Sequence, residues 1–322
     1  MTAPVISILM PVFNGAAYVN QAIESALAQT YQDFELIIVN DGSTDNSAEV
    51  IRPYLADPRI RYLEQPNGGV AAARNAAIRV AHGRYIGFLD QDDLWLPEKL
   101  DLQVQYLHEH PDVGMVHANQ SYIDSDSRHT RLPFDDGFAK VSGWCFRDLF
   151  IRNRIAVLTV LARKSALDSV GPLNETIPGG DDYEMWMRIS KHFPIGHLDQ
   201  VLAHYRTHGS NVSNDNFRMT RTDLGAIQSI LRRYPEARKE LGADVVDARL
   251  FELNYQLGGW YMWKAQDHAS ARHHYWQAIR ARPFYFKSYR RFVWCSLNDS
   301  QRRMLGWYWQ KLKTALRIAP RT

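Results

Sequence analysis

Disulfide chemistry has little to work with in this sequence. The two cysteines, Cys145 and Cys295, lie far apart and show no metal-ligand spacing, so no disulfide framework is implied, which fits a reducing compartment. No stretch approaches about 18 uninterrupted apolar residues, so no transmembrane helix is expected. The opening Met1-Thr2-Ala3-Pro4 leads directly into a strand-like run, without the basic region and apolar core of a secretion signal. These absences set the expectation of a cytosolic protein. A large net charge is missing too, since 38 Lys and Arg against 35 Asp and Glu leave +3.

That balance hides a segregation. From Arg272 to Thr322 twelve Lys or Arg face one acid, Asp299, giving about +11 there and about −8 on the residues before it. Charge separated in this way suggests an anionic partner for the tail. The length of 322 residues exceeds one average domain, and a hydrophobic content of 45% supports a sizeable core, so one large domain with an appendage is expected.

The first half alternates strand and helix signals. Val5 to Val12 is an apolar run, and Ala16 to Gln29 carries Tyr18, Ala22, Ile23, Ala26 and Leu27 at helical spacing. Glu35 to Asn40 reads as a strand, followed by the turn-and-cap sequence Asp41-Gly42-Ser43-Thr44-Asp45. Ile60 to Leu63 and Tyr85 to Leu89 are further strands around an alanine-rich helix, Val70 to Ala81. Repeated units of this kind predict an α/β fold with a mostly parallel sheet and helices on both faces. Such sheets bind ligands beyond their strand C-termini, where Asn14, Asp41 and Asp90 all fall. Further on, Pro97 to His110 looks helical, Val113 to His117 strand-like, Arg128 to Gly143 a polar loop, and Ile155 to Ala162 a strand. Asp182 to His192 has helical spacing, and Val201 to Tyr205 is a last strand. From about residue 218 the chain reads as helical throughout, with Gly259, Ala271, Tyr275, Ala278 and Pro283 spaced as in one tetratricopeptide repeat.

Two acidic clusters, about ninety residues apart, carry the chemistry: Asp90-Gln91-Asp92-Asp93 and Asp181-Asp182-Tyr183-Glu184. Carboxylates crowded at a strand end repel one another unless a cation or basic group sits among them. Oxygen ligands of this type suit Mg²⁺ or Mn²⁺, ions that pair with a substrate diphosphate. The second cluster opens a helix after Pro178-Gly179-Gly180, where a carboxylate could take a proton. Holding a leaving group and accepting a proton are the two tasks of a transferase.

The block Ile6-Ser7-Ile8-Leu9-Met10-Pro11-Val12-Phe13-Asn14-Gly15 resembles the opening of family 2 glycosyltransferases, which have the GT-A fold. Val39 to Asp45, Asn67-Gly68-Gly69, Ala73-Arg74-Asn75, the Asp90 cluster and Asp181 to Trp186 match in the same order, over roughly residues 5 to 213. The resemblance implies a nucleotide-sugar donor, a divalent metal, and transfer with inversion at the anomeric carbon. It places Pro11, Val12 and Asn14 at the base pocket, Asp41 on the base, Arg74 near the nucleotide or its phosphates, and Gln91 in the donor-binding motif. Asp90 would face the ribose and metal, Asp92 would bind the metal, and His208, in an element that closes over the diphosphate, is a further candidate ligand. Asp182 takes the position of the general base, supported by Asp93, Asp181, Glu184 and Trp186. The family more often has Glu-Asp where this chain has Asp181-Asp182. The Gln-x-x-Arg-Trp motif and membrane helices of processive members are missing, which favours addition of a single sugar.

Several of these residues carry a purely structural reading as well. Asp41 fits a turn, Arg74 a solvent-facing helix position, Asp181 or Asp182 a helix cap, His208 an exposed loop, and Trp186 the core, while Glu184 rivals Asp182 as base. The organisation expected is a catalytic domain over 1–217, with a nucleotide-sugar part to about 95 and an acceptor part from about 96, then a helical, basic and aromatic region over 218–322. Runs such as Phe284 to Phe292 and Trp307 to Lys313 interleave aromatics with cations and suit an anionic membrane surface, with contact to a subunit or partner as the other reading. Nucleic acid is not expected, because no reader motif occurs. The function these features imply is transfer from a nucleotide sugar, with UDP favoured, to a glycan or lipid-linked acceptor by a peripheral protein at the inner membrane face. A sugar nucleotidyltransferase and a non-catalytic donor-binding scaffold are the alternatives. The former lacks its glycine-rich basic signature here, and the second acidic cluster argues against the latter.

Overall fold

The computed structural model describes residues 4–130, 141–177, 179–209, 211 and 215–318. Parts of the expected 128–143 loop, together with Pro178 and Ser210, lie outside the described residues. Two compact units divide the chain, Met1–Pro235 and Glu236–Thr322.

In the first unit the strand–helix alternation runs β1 (Ile6–Val12), α1 (Val19–Leu27), β2 (Phe34–Asn40), α2 (Ser47–Ile51), β3 (Ile60–Glu64), α3 (Val70–Val80) and β4 (Tyr85–Phe88). Every residue of β1, β2 and β4 is buried, as an apolar run must be when helices cover both faces of a parallel sheet. Val19, Ala22, Ile23 and Ala26 form the buried face of α1. Helix α3 presents Ala71, Ala73 and Ala77, small side chains that let it lie close over β1 and β2.

The remaining elements are β5 (Leu94–Trp95), α4 (Lys99–Glu109), β6 (Met115–Ile123), β7 (His129–Thr130), α5 (Phe146–Ile151), β8 (Leu161–Arg163), α6 (Lys164–Val170), α7 (Asp181–His192), β9 (Ile195–Arg206) and α8 (Asn216–Arg233). Among the described residues the sheet order is β3-β2-β1-β4-β8-β6-β9-β5, with β7 beside β6. The four strands β3, β2, β1 and β4 are all parallel, and β6 is parallel to β9. Strand β8 runs antiparallel between β4 and β6 and joins the halves into one sheet.

The strand expected over 155–162 is only three residues long and later, because a 3₁₀ turn at Val157–Thr159 interrupts that apolar run. Trp95 explains the turn's place: its indole N–H donates to the Leu158 carbonyl at 2.8 Å, fixing the turn against the core. Cys145, at the start of α5, is buried and unpaired.

The second unit contains α9 (Ala237–Leu241), α10 (Ala243–Trp263), α11 (His268–Ala281), α12 (Phe286–Ser296) and α13 (Asp299–Ile318). Helix α11 packs on α10 and on α12 around Met262, Ala271, Tyr275 and the free thiol Cys295. Gly258 makes the first of these contacts possible, because a Cβ there would stand 2.9 Å from the Tyr275 ring.

Candidate active site

Strands β1, β2 and β4 end at one edge, with Val12 paired to Asn40 and Leu9 paired to Phe88. The loops beyond this edge are tied together by their own polar groups. Asn14 sits at φ 51°, a left-handed conformation that Asn tolerates. Its Oδ1 accepts from the Thr44 amide at 2.8 Å, and its amide donates to Ser43 Oγ at 3.0 Å. Gln91 pairs with the backbone of Phe13 in both directions, at 2.8 and 3.1 Å. Pro11 and Val12 are buried within β1.

Asp41 is buried and accepts three hydrogen bonds, from Gln65 Nε2 (2.7 Å), the Gly68 amide (2.9 Å) and the Gly69 amide (2.8 Å). It does not cap the next helix; Asp45 accepts from Ser47 there instead. Gly69, at φ 86°, turns the chain into α3 and aims its amide back at Asp41, a backbone angle that an L side chain would strain.

The two acidic clusters converge through Arg74. Far from facing solvent, this side chain is buried, and its guanidinium bridges Asp90 Oδ1 at 2.7 Å and Asp181 Oδ2 at 3.0 Å. The Asp90 and Asp181 charges raise its affinity for the proton against a large desolvation penalty. Arg74 Nε has no hydrogen-bond partner although buried. Breaking such a pair would leave an unpaired buried charge, a loss of about 3–5 kcal/mol.

Asp182, the residue after Asp181 in the first turn of α7, is partly exposed. Burial pushes its carboxyl up to about 7; the Asp181 and Asp90 charges add to that, and Arg74 opposes it. A carboxylate of this basicity is suited to removing a proton near neutral pH. Asp181 is not the helix cap, which is Gly180; its carboxylate goes to Arg74. Glu184 is closed off in a buried pair with Arg188 at 2.7 Å and a hydrogen bond from Ser229 at 2.9 Å, so it supports the helix rather than competing as base. Trp186 is fully buried, edge-on to Phe88 at 5.4 Å, and belongs to the core rather than to a sugar-facing surface.

At the other end of the first cluster, Asp92 Oδ2 meets His208 Nε2 at 2.9 Å. Burial and the Asp90 charge push the Asp92 carboxyl up, while His208 pulls it down. The His208 ring stacks on Tyr18 at 5.1 Å. Asp93 points inward and accepts from the Arg206 amide at 2.9 Å. Arg206 itself, fully buried, donates to the carbonyls of Asp92 (2.8 Å) and Asp124 (3.1 Å), and to the side chains of Ser127 (2.8 Å) and Gln21 (2.7 Å). This arginine clamps the acidic turn, and no sequence motif pointed to it. Its one signal was its place beside His208 at the end of the last strand.

A divalent cation suits this corner chemically. Asp92 and Asp90 offer hard oxygens and His208 an imidazole nitrogen. Among the described residues no three such side chains are already grouped as an ion cage, and one Asp90 oxygen is engaged by Arg74. An ion bound here would need substrate oxygens and water to complete its shell.

This arrangement, acids and a buried arginine at the C-terminal edge of a twisted α/β sheet, defines a GT-A glycosyltransferase. S. aureus TarS 1-349, in its complex with UDP, has the same fold, with a TM-score of 0.64 at 18% identity over 86% of this chain and 81% of that one. The Glycosyl transferase family 2 profile matches residues 7–164, and the chain belongs to that family. An uncharacterized glycosyltransferase of Rickettsia prowazekii (strain Madrid E) is 32% identical over 216 residues, which cover 66% of this chain and 67% of that protein. The chondroitin synthase of Pasteurella multocida (strain Pm70) is 32% identical over 214 residues, 66% of this chain but 22% of that enzyme. The matched segment likewise spans 29% of the length of a Rickettsia bellii glycosyltransferase and 36% of two others from the genus.

Proposed function

We propose that this glycosyltransferase moves one sugar, with inversion, from a UDP-sugar to a hydroxyl of a cell-surface glycan or lipid-linked acceptor. The observation that carries the reading is the Arg74 bridge, which sets Asp182 beside the acids of the donor edge. The UDP complex of S. aureus TarS supports the choice of nucleotide, because it occurs on the same fold.

In this reading the loops after β1 and β2, held by Asn14 and Asp41, receive the base, and Asp90 with Gln91 faces the ribose. Mn²⁺ or Mg²⁺ held by Asp92, Asp90 and His208 would supply positive charge for the departing diphosphate. Asp182 accepts the proton of the acceptor hydroxyl as its oxygen bonds to the anomeric carbon and the bond to the diphosphate breaks. Arg74 keeps Asp90 and Asp181 paired, so that Asp182 is the carboxylate left to work. The second unit holds the enzyme at an anionic membrane surface through the cations and exposed aromatics of α12 and α13.

The test is Asp182→Asn. Turnover should fall by roughly 10²–10⁴-fold, with donor affinity almost unchanged. Normal turnover by the variant would overturn the base assignment. A panel of nucleotide sugars, assayed with Mn²⁺ and with a chelator, identifies the donor and metal dependence together.

A further inference from the structure

Two cavities outside the donor edge open along one side of α8. The smaller, about 400 Å³, is lined by Arg218, Arg221, Thr222 and Gly225 of that helix. The larger, about 660 Å³, is lined by Ser229, Arg232 and Arg233. Positions 218, 221, 225, 229 and 232 recur at helical spacing and therefore share one face. The facing wall is also continuous, residues 172–175 bordering the larger cavity and Thr176 and Ile177 the smaller. Together they make one groove, which at ~1.5 Å per residue runs roughly 20 Å along the helix.

The rim is basic. Arg79, Arg218, Arg221 and Arg232 are exposed, and among the described residues no ion pair holds any of them. The fifth and sixth arginines are engaged: Arg188 by Glu184, and Arg233 by the Val170 carbonyl at 2.7 Å. Three acids also border the groove, one of them Glu184 in its pair with Arg188. Glu175 accepts from Asn75 at 2.8 Å, and Asp215 caps α8. The free cations outnumber them.

The groove also borders α7, the helix that carries the proposed base, through Glu184 and Arg188. Gly180 caps α7 directly before Asp181 and Asp182, and it lies so close to the lining residue Thr222 that a Cβ would come within 2.2 Å of it.

We propose that this groove binds an acidic glycan, a chain bearing repeated carboxylate or phosphate groups, as the acceptor. The inference rests on the transferase reading above. Repeated negative charges match guanidinium groups spaced along a groove, and a span of this length suits an extended oligosaccharide rather than a single ion.

The test is binding of end-labelled oligosaccharides to the intact chain, measured by fluorescence anisotropy at low and high salt. The probes are a uronate-bearing oligosaccharide, a polyol-phosphate oligomer, and a neutral glucan of equal length. At least one acidic probe should bind more tightly than the glucan and weaken with salt. Which acidic probe wins separates carboxylate from phosphate recognition. Arg218→Gln with Arg221→Gln, and separately Arg79→Gln with Arg232→Gln, should each weaken acidic binding by roughly three- to tenfold, with UDP affinity and melting temperature unchanged. Lys287→Gln with Arg290→Gln in the second unit should bind the glycan as wild type does. Equal binding of the neutral glucan, wild-type affinity in both groove variants, or loss only in the second-unit variant would overturn the proposal. Binding of a short polyprenyl diphosphate, with none of either acidic glycan, would overturn it as well. A failure of Asp182 as base shows instead as normal turnover in Asp182→Asn with the groove variants still impaired in binding.

Discussion

The Asp182 carboxyl, held at about 7 by burial and by Asp181, gives the enzyme a pH signature. If Asp182 is the base proposed above, its deprotonated form is the active one, so kcat/KM should rise through pH 7 and fall below it. The sign for stability is opposite. The folded state keeps this proton to about pH 7, whereas an unfolded Asp releases it near ~3.9, so the residue's contribution to stability declines as pH rises between those values. A pH–rate profile and urea melts check both, and Asp182→Asn should flatten both trends. At this scale the sequence was informative where a motif is a string. Asp90, Asp92 and Asp182 stood out because acids were crowded next to an apolar run or a glycine turn. Arg74 was legible as a residue but not in its partners, since only the fold brings position 74 between 90 and 181. Arg206 was not legible as a clamp, because the bonds that hold the acidic turn go to backbone carbonyls, which leave no trace in side-chain patterns.

Helix α4 carries an oddity that its sequence conceals. Lys99 is fully buried, its Nζ 4.0 Å above the Trp95 ring and 2.6 Å from Gln103 Oε1, and desolvation lowers its proton affinity well below that of a free lysine. An amine that is charged when unfolded and poorly charged when folded opposes folding below its unfolded pKa, and the opposition fades as pH rises toward ~10.4. Lys99→Met keeps the volume and drops the ammonium group, so it should stabilise the protein at pH 7 by about 1–3 kcal/mol and reduce the gain in stability on the alkaline side. Denaturant melts of the two proteins across pH measure this. Elements were predictable where one period dominated. The apolar runs of β1 and β2 and the helical spacing of α1 and α3 match their burial. The apolar run 155–162 has no periodicity to separate a turn from a strand, and Trp95, 60-odd places earlier, decides it. Strand β9 extends well before the expected 201–205 because its first half pairs with β6 despite polar residues such as His197 and Asp199.

For the whole molecule, the expected boundary near 218 falls within α8, which lies in the first unit, while the second unit is helical with an explicit exposed face. Phe286, Tyr289 and Val293 project at i, i+3 and i+7 on α12, with Phe286 76% exposed, and Lys287 and Arg290 are exposed among them. Such a face suits insertion at an anionic interface. No helix among the described residues is long and apolar enough to cross a membrane. The intact chain should sediment with vesicles of anionic phospholipid and stay in solution with neutral ones. Lys287→Gln with Arg290→Gln should weaken that partition roughly tenfold or more, at ~1 kcal/mol for each cation lost. Equal sedimentation of the variant would count against the membrane role.

The two buried thiols fall one in each compact unit, Cys145 beside α5 and Cys295 within α12. Neither can meet an aromatic disulfide reagent until its own unit breathes open, so each sulfur is a built-in clock for its half of the chain. Labelling should run roughly a thousandfold or more below the free-thiol rate. With Cys145→Ser and Cys295→Ser used to assign the phases, the colour released reads out separately how often each unit loosens, without any tag or dye being added to the protein.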